Sequence, residues 1–387
     1  MFDQYIHPFT LNNEKDYYCA ISNLEYAVGP IEIMGLATNF ITETTLMMNN
    51  SITLFKEGYV DAAYYSMREA IELTLTIIFF NEQPKIDRDK QLRNWINKES
   101  FPSAKEMIKF CKEANSFYSE IISQIPSFPG KLGNLRARLS KYAHKQGLDT
   151  FYFKQYRERV FSQNDSFDIS LTTQFEKDLK ESISTIAILN LALDPFPLLL
   201  TDEEIFYRIQ LLSSPYSEWF IKNYLKSYKI EKLKNTNFYK TIHQEIIRKY
   251  EKMSEPVYWA NNLCPIINTD YLETYKQQSH LLNQVCKLCI TFFSITEKIR
   301  RIQNTNDSIP YVRETKPPLM HSTFPFAVTH KNDSDTVFAN ERFGDVYYSS
   351  FEVDHSTYYV EHDTPLDSNE LDKLMNVSNE KIYLDLT

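Results

Sequence analysis

Glycine is nearly missing from this chain, and no other feature limits its fold as strongly. Average usage near 7% would give roughly 27 glycines in a chain of this length. This one has 7 in 387 residues, and none lies between Gly147 and Gly344. Phosphate-cradling loops need glycine where backbone amides must approach the ligand, and no G-x-G-x-x-G, G-x-x-x-x-G-K-[ST] or G-x-S-x-G occurs. Nucleotide-binding and hydrolase folds of those kinds are excluded. Helix interiors avoid glycine and accept the Lys, Glu, Leu and Ile that fill this sequence, so the expected fold class is mainly α.

Proline divides the chain, because it breaks helix interiors and its absence permits long ones. It is missing from 31–83, 130–194, 216–255 and 266–309. In the first interval Thr42–Lys56 and Tyr59–Phe80 are expected as an antiparallel helical pair joined at Gly58. The second of these carries Ala62, Ala63, Met67, Ala70, Ile71, Leu75 and Ile78 at helical spacing. Further helices are expected over Asp87–Lys98, Ser103–Ser123, Lys131–Gln146 (ended by Gly147) and Thr172–Leu193. Residues 201–306 continue in helical style. Beyond 307 the segments SDTVFA, DVYYSS and STYYVEH favour short strands with acidic turns between them. The organisation expected is an arm over 1–39, a helical bundle over 40–194, a second helical region over 195–306 and an acidic, strand-containing segment over 307–387.

The charge map is uneven. Residues 307–387 hold 15 acidic and 6 basic side chains, whereas 1–306 hold 36 of each, so the formal net charge of −9 resides in the C-terminal segment. Its aromatic content argues for a packed sheet rather than a disordered tail, which would be poor in aromatics. Residues 131–160 hold eight Lys or Arg against only Asp149 and Glu158, with Tyr152, Phe153 and Tyr156 interleaved. Such a stripe suits either a solvated helix face or an RNA surface, where cations meet phosphates and rings stack on bases.

Five cysteines (Cys19, Cys111, Cys264, Cys286, Cys289) are an odd number, and the leading MFDQYIHPF lacks the positive-then-apolar layout of a signal peptide. A reducing, cytoplasmic setting is expected. The longest apolar runs, Leu73–Phe80 and Ile186–Leu200, are too short or too interrupted to cross about 30 Å of hydrocarbon, so no membrane partner is expected. Cys286-x-x-Cys289 has the spacing of half a zinc site but lies in an apolar helical stretch, and Cys264 with His280 forms no second knuckle. Asp354-His355 and His362-Asp363 flank a strand and are expected as surface turns. No metal and no cofactor are expected.

Two segments resemble HEPN domains (higher eukaryotes and prokaryotes nucleotide-binding). FKEGYVDAAYYSMREAIELTL at 55–75 is similar to that family's second helix, with Arg68, Glu69 and Glu72 as its polar edge. RLSKYAH matches the family's Arg-x(4–6)-His signature through Arg138 and His144. The resemblance covers about 40–194. It implies a HEPN-like helical bundle, followed by the second helical region and the short β-containing segment. It further implies metal-independent endoribonuclease activity, with Arg138 and His144 of two copies facing each other across a dimer interface and Arg68 and Glu72 in support. The wider expectations are RNA as substrate, tRNA among the candidates, a stress or phage-defence setting, and an antitoxin or regulatory partner.

The chemistry suits those residue types. An imidazole can move a proton at neutral pH, and a guanidinium holds charge growing on a phosphate. Positions six apart lie roughly 120° apart around a helix and about 9 Å along it, so one copy makes a poor site and a second copy could complete it. Arg136, Lys141, Lys145 and Lys154 are the expected phosphate-binding cations, with Ser140 beside Arg136. The sequence departs from the family pattern at Leu139, where many nuclease members carry a polar residue. A non-catalytic HEPN-like dimerisation module therefore stays open, as does an unrelated helical RNA-binding or scaffold protein.

Overall fold

The computed structural model describes residues 5–25, 34–114, 116–161, 166–209, 214–261, 265–305, 310–314, 319–320, 337–338 and 346–380. The chain is mainly α and divides into two compact units, Met1–Tyr250 and Glu251–Thr387. The division passes through the stretch 195–306 and draws the segment 1–39 into the first unit, so these units differ from the four regions expected.

The first unit is all helical in its described part. It holds α1 (Glu14–Leu24), α2 (Met34–Lys56), α3 (Val60–Glu82), α4 (Lys85–Ile96), α5 (Ala104–Glu113), α6 (Phe117–Gln124), α7 (Phe128–Ala143), α8 (Tyr152–Phe161) and α9 (Ser166–Leu193), then α10 (Ser227–Lys234) and α11 (Asn237–Lys249) after several short turns. The expected pair is present as α2 and α3. Gly58 sits at φ +89 after α2, and a Cβ there would lie 2.6 Å from the His7 carbonyl oxygen. Its amide and that of Tyr59 return to Phe55 (2.9 Å) and Leu54 (2.8 Å), which caps the last open carbonyls of α2. Only glycine fits, because the N-terminal segment crosses directly over the turn.

Ala63 and Ala70 let α3 run deep in the core, and Phe9, Phe55 and Phe175 stack through it with centroids 4.6 and 3.8 Å apart. The second half of α9 is buried on all sides from Thr185 to Leu193, which accounts for the apolar run in this part of the sequence. No helix among the described residues is long and apolar enough to cross a membrane.

Three local expectations change here. Ser103–Ser123 is two helices, each opened by its own serine capping box at Ser103 and Ser116. The helix expected over Lys131–Gln146 is Phe128–Ala143, with Pro129 in its first turn and His144 as C-cap. Two further helices, α1 and α8, were not anticipated as elements; α1 buries Tyr17, Ala20, Ile21 and Leu24 on one stripe.

The second unit combines α12 (Glu255–Asn261), α13 (Leu272–Gln277), α14 (Gln284–Ile295) and α15 (Ser368–Glu380) with β1 (Ile266–Ile267), β2 (Ile299–Asn304), β3 (Tyr311–Arg313), β4 (Leu319–Met320), β5 (Val337–Phe338), β6 (Tyr347–Val353) and β7 (Ser356–His362). A five-stranded sheet runs β1-β3-β2-β7-β6, parallel only between β1 and β3. Segment 299–304, expected as helix, is therefore a strand. Pairing on both sides, with β3 and β7, decides it. Of DVYYSS, Tyr347–Ser350 lie in β6 and Asp345 is outside the described residues; STYYVEH is β7, and the turn residues of this hairpin, Asp354 and His355, sit at φ 48 and 63, as a two-residue hairpin turn of right-handed twist requires. Of SDTVFA, Val337–Phe338 pairs in parallel with Leu319–Met320, and the other four residues lie outside the described residues.

Helix α15 replaces the acidic turns expected near the C-terminus. Asp367 and Glu370 form its capping box (2.9 Å in both directions), and Glu370 also takes Thr296 (2.7 Å) and Lys298 (2.6 Å). These contacts, the Lys298 ammonium first, hold the Glu370 carboxyl down at about 2.

Candidate functional site

Helix α7 carries Arg138 and is capped by His144, the two halves of the Arg-x(5)-His pattern, and its apolar stripe fixes where they go. Leu132, Leu135 and Leu139 are fully buried and turn one side of the helix into the core. Two residues in sequence separate by about 200° around a helix. Arg136 and Arg138, which flank the buried stripe, consequently leave in opposite directions, Arg136 toward α3 and Arg138 toward α9.

On the α9 side, Arg138 is an anchor. Its Nε donates to Asp178 Oδ1 (3.0 Å) and its Nη2 to Glu181 Oε2 (2.5 Å). The Asp178 side chain is 1% exposed. Gln174 Nε2 (2.8 Å) and the Tyr64 hydroxyl (3.4 Å) donate to its other oxygen. Tyr64 stacks on Tyr142 of α7, with centroids 4.2 Å apart. A buried carboxylate needs a paired cation and satisfied lone pairs, and Arg138 supplies the cation. Burial alone would pull the guanidinium pKa down, but the two carboxylates outweigh it and raise it.

On the α3 side, the charged groups stay within reach of solvent. Glu72 Oε1 accepts from Arg68 Nε and from Arg136 Nη2, both at 3.0 Å, and these three side chains are 21–23% exposed. The exposed imidazole of His144 meets this cluster, where Arg68 Nη1 donates to its Nε2. A guanidinium can only donate, so Nε2 is the bare nitrogen in this contact and the ring proton resides on Nδ1. Glu69 lies beside the cluster, its carboxyl pushed up by burial and by the charge of Glu72. Arg138 and His144 share no contact and face different helices. The structure instead brings His144 together with Arg68, Glu72 and Arg136.

The end of α7 explains how His144 is held. The Gln146 amide returns to Lys141 (2.8 Å) and the Lys145 amide to Tyr142 (3.1 Å), with Lys145 at φ 52 as the left-handed residue. The same motif closes α2 at Gly58, yet here a lysine takes the strained place, and the stop expected at Gly147 falls earlier. Lys145 is compensated: its ammonium reaches Asp61 (3.0 Å) and Thr150 O (3.3 Å) and lies 3.7 Å over the Tyr152 ring. The Tyr152 hydroxyl also donates to Asp61. Burial would raise the Asp61 carboxyl, but Tyr152 and Lys145 more than offset it and leave it below the usual carboxylate range.

The other expected phosphate ligands are also paired. Lys141 binds Asp149 (2.5 Å) and Lys154 binds Glu158 one turn along α8. Among the proposed stacking rings, Phe153 is exposed while Tyr156 packs edge-on against Tyr5 (5.2 Å). The residues that sequence reasoning missed are the carboxylates. Asp178 and Glu181 lie 40 and 43 positions from Arg138, with no local signal to link them. A cavity of about 500 Å³ beside Tyr142, Gln174 and Lys177 includes neither His144 nor Arg68.

In the second unit, Cys286 and Cys289 are buried, the former against the Ala260 carbonyl (3.0 Å). His280 pairs with Glu251 (3.0 Å), and Cys264 lies outside the described residues. His362, expected in a surface turn, is buried and contacts Ser349 Oγ (3.1 Å) and Thr364 O (2.8 Å). Asp363 binds Arg300 (2.6 Å). No group of three or more metal-binding side chains occurs among the described residues. Comparison with family models, with curated proteins and with solved structures finds no match to this chain.

Proposed function

We propose that the first unit is a HEPN-like bundle that cleaves RNA without a metal in the cytoplasm, in a stress or phage-defence setting. The observation that carries this reading is the exposed imidazole of His144 beside the Arg68 guanidinium, with Arg136 held to the same carboxylate. A phosphodiester seated on Arg68 and Arg136 would compete for their N–H groups and release Nε2 of His144. That nitrogen can then take the proton of a ribose 2′-hydroxyl as its oxygen attacks the adjacent phosphorus. The 5′-oxygen leaves with a proton from a second acid, and a 2′,3′-cyclic phosphate remains. A second copy of His144 across a two-fold seam would be that acid, so the proposal includes a homodimer. The exposed apolar side chains Leu148, Phe151 and Phe153, which follow His144 within nine residues, support such a seam. In this reading Arg138 is a positioning residue, and an antitoxin or regulatory partner would act by covering the His144 face.

The test is cleavage of EDTA-treated total RNA and tRNA. Wild type should leave cyclic-phosphate ends, and His144→Ala should lower the rate by about 10²-fold or more, the usual contribution of a general acid–base group. Arg68→Ala should follow it. A His144→Ala variant that cuts as fast as wild type removes the assignment.

A second reading has its own observation. Leu139 stands where many nuclease members of the family are polar, and it is fully buried, while Arg138 is occupied by two carboxylates. A dimer that forms without any cleavage would support a non-catalytic interaction module.

A further inference from the structure

The second unit contains a cavity of about 320 Å³, within the size range of small-ligand sites, that the proposed activity leaves unused. Three elements build it. Glu255 and Trp259 lie one turn apart on α12. Asn268, Tyr271 and Tyr275 come from the stretch that runs from β1 into α13, the last of them on α13 itself, and Glu314 follows β3 directly. The Glu314 amide donates to the Ile267 carbonyl (2.9 Å), which fixes that end of β3 beside β1. The Tyr275 ring is buried at the base, and its hydroxyl accepts the Asn268 amide (3.2 Å). Trp259 and Tyr271 are 36% and 47% exposed, so large aromatic faces remain in contact with solvent at the mouth.

The chemistry of this lining is one-sided. It offers the exposed rings of Trp259 and Tyr271 and two carboxylates, and no lining residue among those described carries a positive charge. Ring faces carry negative potential and attract cations within about 6 Å of the centroid. Carboxylates add long-range attraction for the same sign and repel anions. A strongly hydrated ammonium would lose its water shell against the rings, whereas a methylated ammonium has weak hydration and presents apolar methyl groups to them. We propose that this cavity binds a methylated ammonium group, with Trp259 and Tyr271 against the methyls, Tyr275 closing the base beneath them and Glu255 and Glu314 balancing the charge. This site lies wholly within Glu251–Thr387 and does not depend on the ribonuclease reading.

The experiment is calorimetric titration of the full chain with choline, with Nε-trimethyllysine and with 3,3-dimethylbutan-1-ol, the uncharged isostere of choline. Saturable binding of either cation, at least tenfold tighter than the neutral alcohol, is the expected result. The cation that binds more tightly identifies the source, a free small molecule or a modified lysine side chain. Tyr271→Ala, at an exposed position, should weaken binding about tenfold, and Glu314→Gln, which keeps the shape, should weaken it severalfold. Tryptophan fluorescence gives a second readout: Trp259→Phe should retain binding by calorimetry and lose the ligand-induced change. Equal affinity for the alcohol, no binding of either cation, or unchanged affinity in both Tyr271→Ala and Glu314→Gln would overturn the proposal.

Discussion

The two sides of α7 use the same residue type for opposite ends. Toward α9, Arg138 neutralises a carboxylate that is almost wholly buried. Toward α3, Arg68 and Arg136 share a carboxylate that water still reaches. The difference is one of desolvation. A charge pair in the interior cannot lose one member without stranding the other, whereas a solvated pair can exchange partners with a ligand at little cost. The Arg-x(5)-His pattern suggests that Arg138 and His144 work together, completed by a second copy. In three dimensions it separates into a structural arginine and an accessible histidine, and the guanidinium beside that histidine comes from α3.

The largest effect that would break this comparison is loss of Arg138. Arg138→Ala should destabilise the first unit by about 3 kcal/mol, the low end for breaking a buried pair because the guanidinium itself is partly solvated. For a unit of this size that lowers Tm by roughly 6–12 °C. Replacing both buried partners, as Arg138→Met with Asp178→Leu, should recover much of the loss, since no uncompensated buried charge remains and Glu181, 31% exposed, is solvated. Thermal denaturation followed by circular dichroism checks both. An Arg138→Ala protein that melts with wild type would mean that Asp178 is satisfied without it.

Lys229 sharpens the same contrast farther along the α9 side. Burial, then the neighbouring Lys131 and Lys226, push its ammonium down to about 8 against the opposing pull of Glu181. Its Nζ also donates to Ser184 Oγ (3.2 Å). A lysine whose folded pKa lies below its unfolded value binds its proton more weakly when folded. The resulting penalty is full below about pH 8 and fades as pH rises toward the ordinary lysine value of about 10.5. Lys229→Met should therefore stabilise the protein at pH 7 by about 1–2 kcal/mol after allowance for partial solvation, and the gain should shrink between pH 8 and 10. Urea denaturation at several pH values measures it. A variant less stable than wild type at pH 7 would show that the Ser184 contact outweighs the burial penalty.

What could be read from the sequence follows from range. Scarce glycine and the proline-free intervals locate α2, α3 and α9, because helix formation depends on neighbours within a turn or two. The hairpin strands are visible for the same reason, through local β-branched and aromatic residues. Segment 299–304, IRRIQN, has no such local sign; it is a strand because β7, more than fifty residues away, pairs with it. The capping box of α15, Asp367 with Glu370, was present in the sequence but lay inside a segment whose acidity suggested turns. At the candidate site the basic residues were legible and their partners were not. Asp178, Glu181 and Asp61 lie on other helices, and only the packing of α3, α7 and α9 shows which cations they occupy. The end of α7 was hidden as well, since lysine is rarely chosen for a left-handed position and Gly147 stood nearby as the more usual stop.

The smallest expected effect on stability is also the sharpest test of the comparison. His144 is exposed, and its contact with Arg68 is of the surface type, worth about 0.5 kcal/mol or less. His144→Ala should thus melt within roughly 2 °C of wild type, because Arg68 keeps Glu72 as a partner and no buried group loses one. The same substitution should remove the proposed cleavage activity. Stability and activity would then separate at His144 and fall together at Arg138. Should His144→Ala lower Tm by as much as Arg138→Ala, the imidazole is a structural cap for α7, and the α3 side is no freer to act than the α9 side.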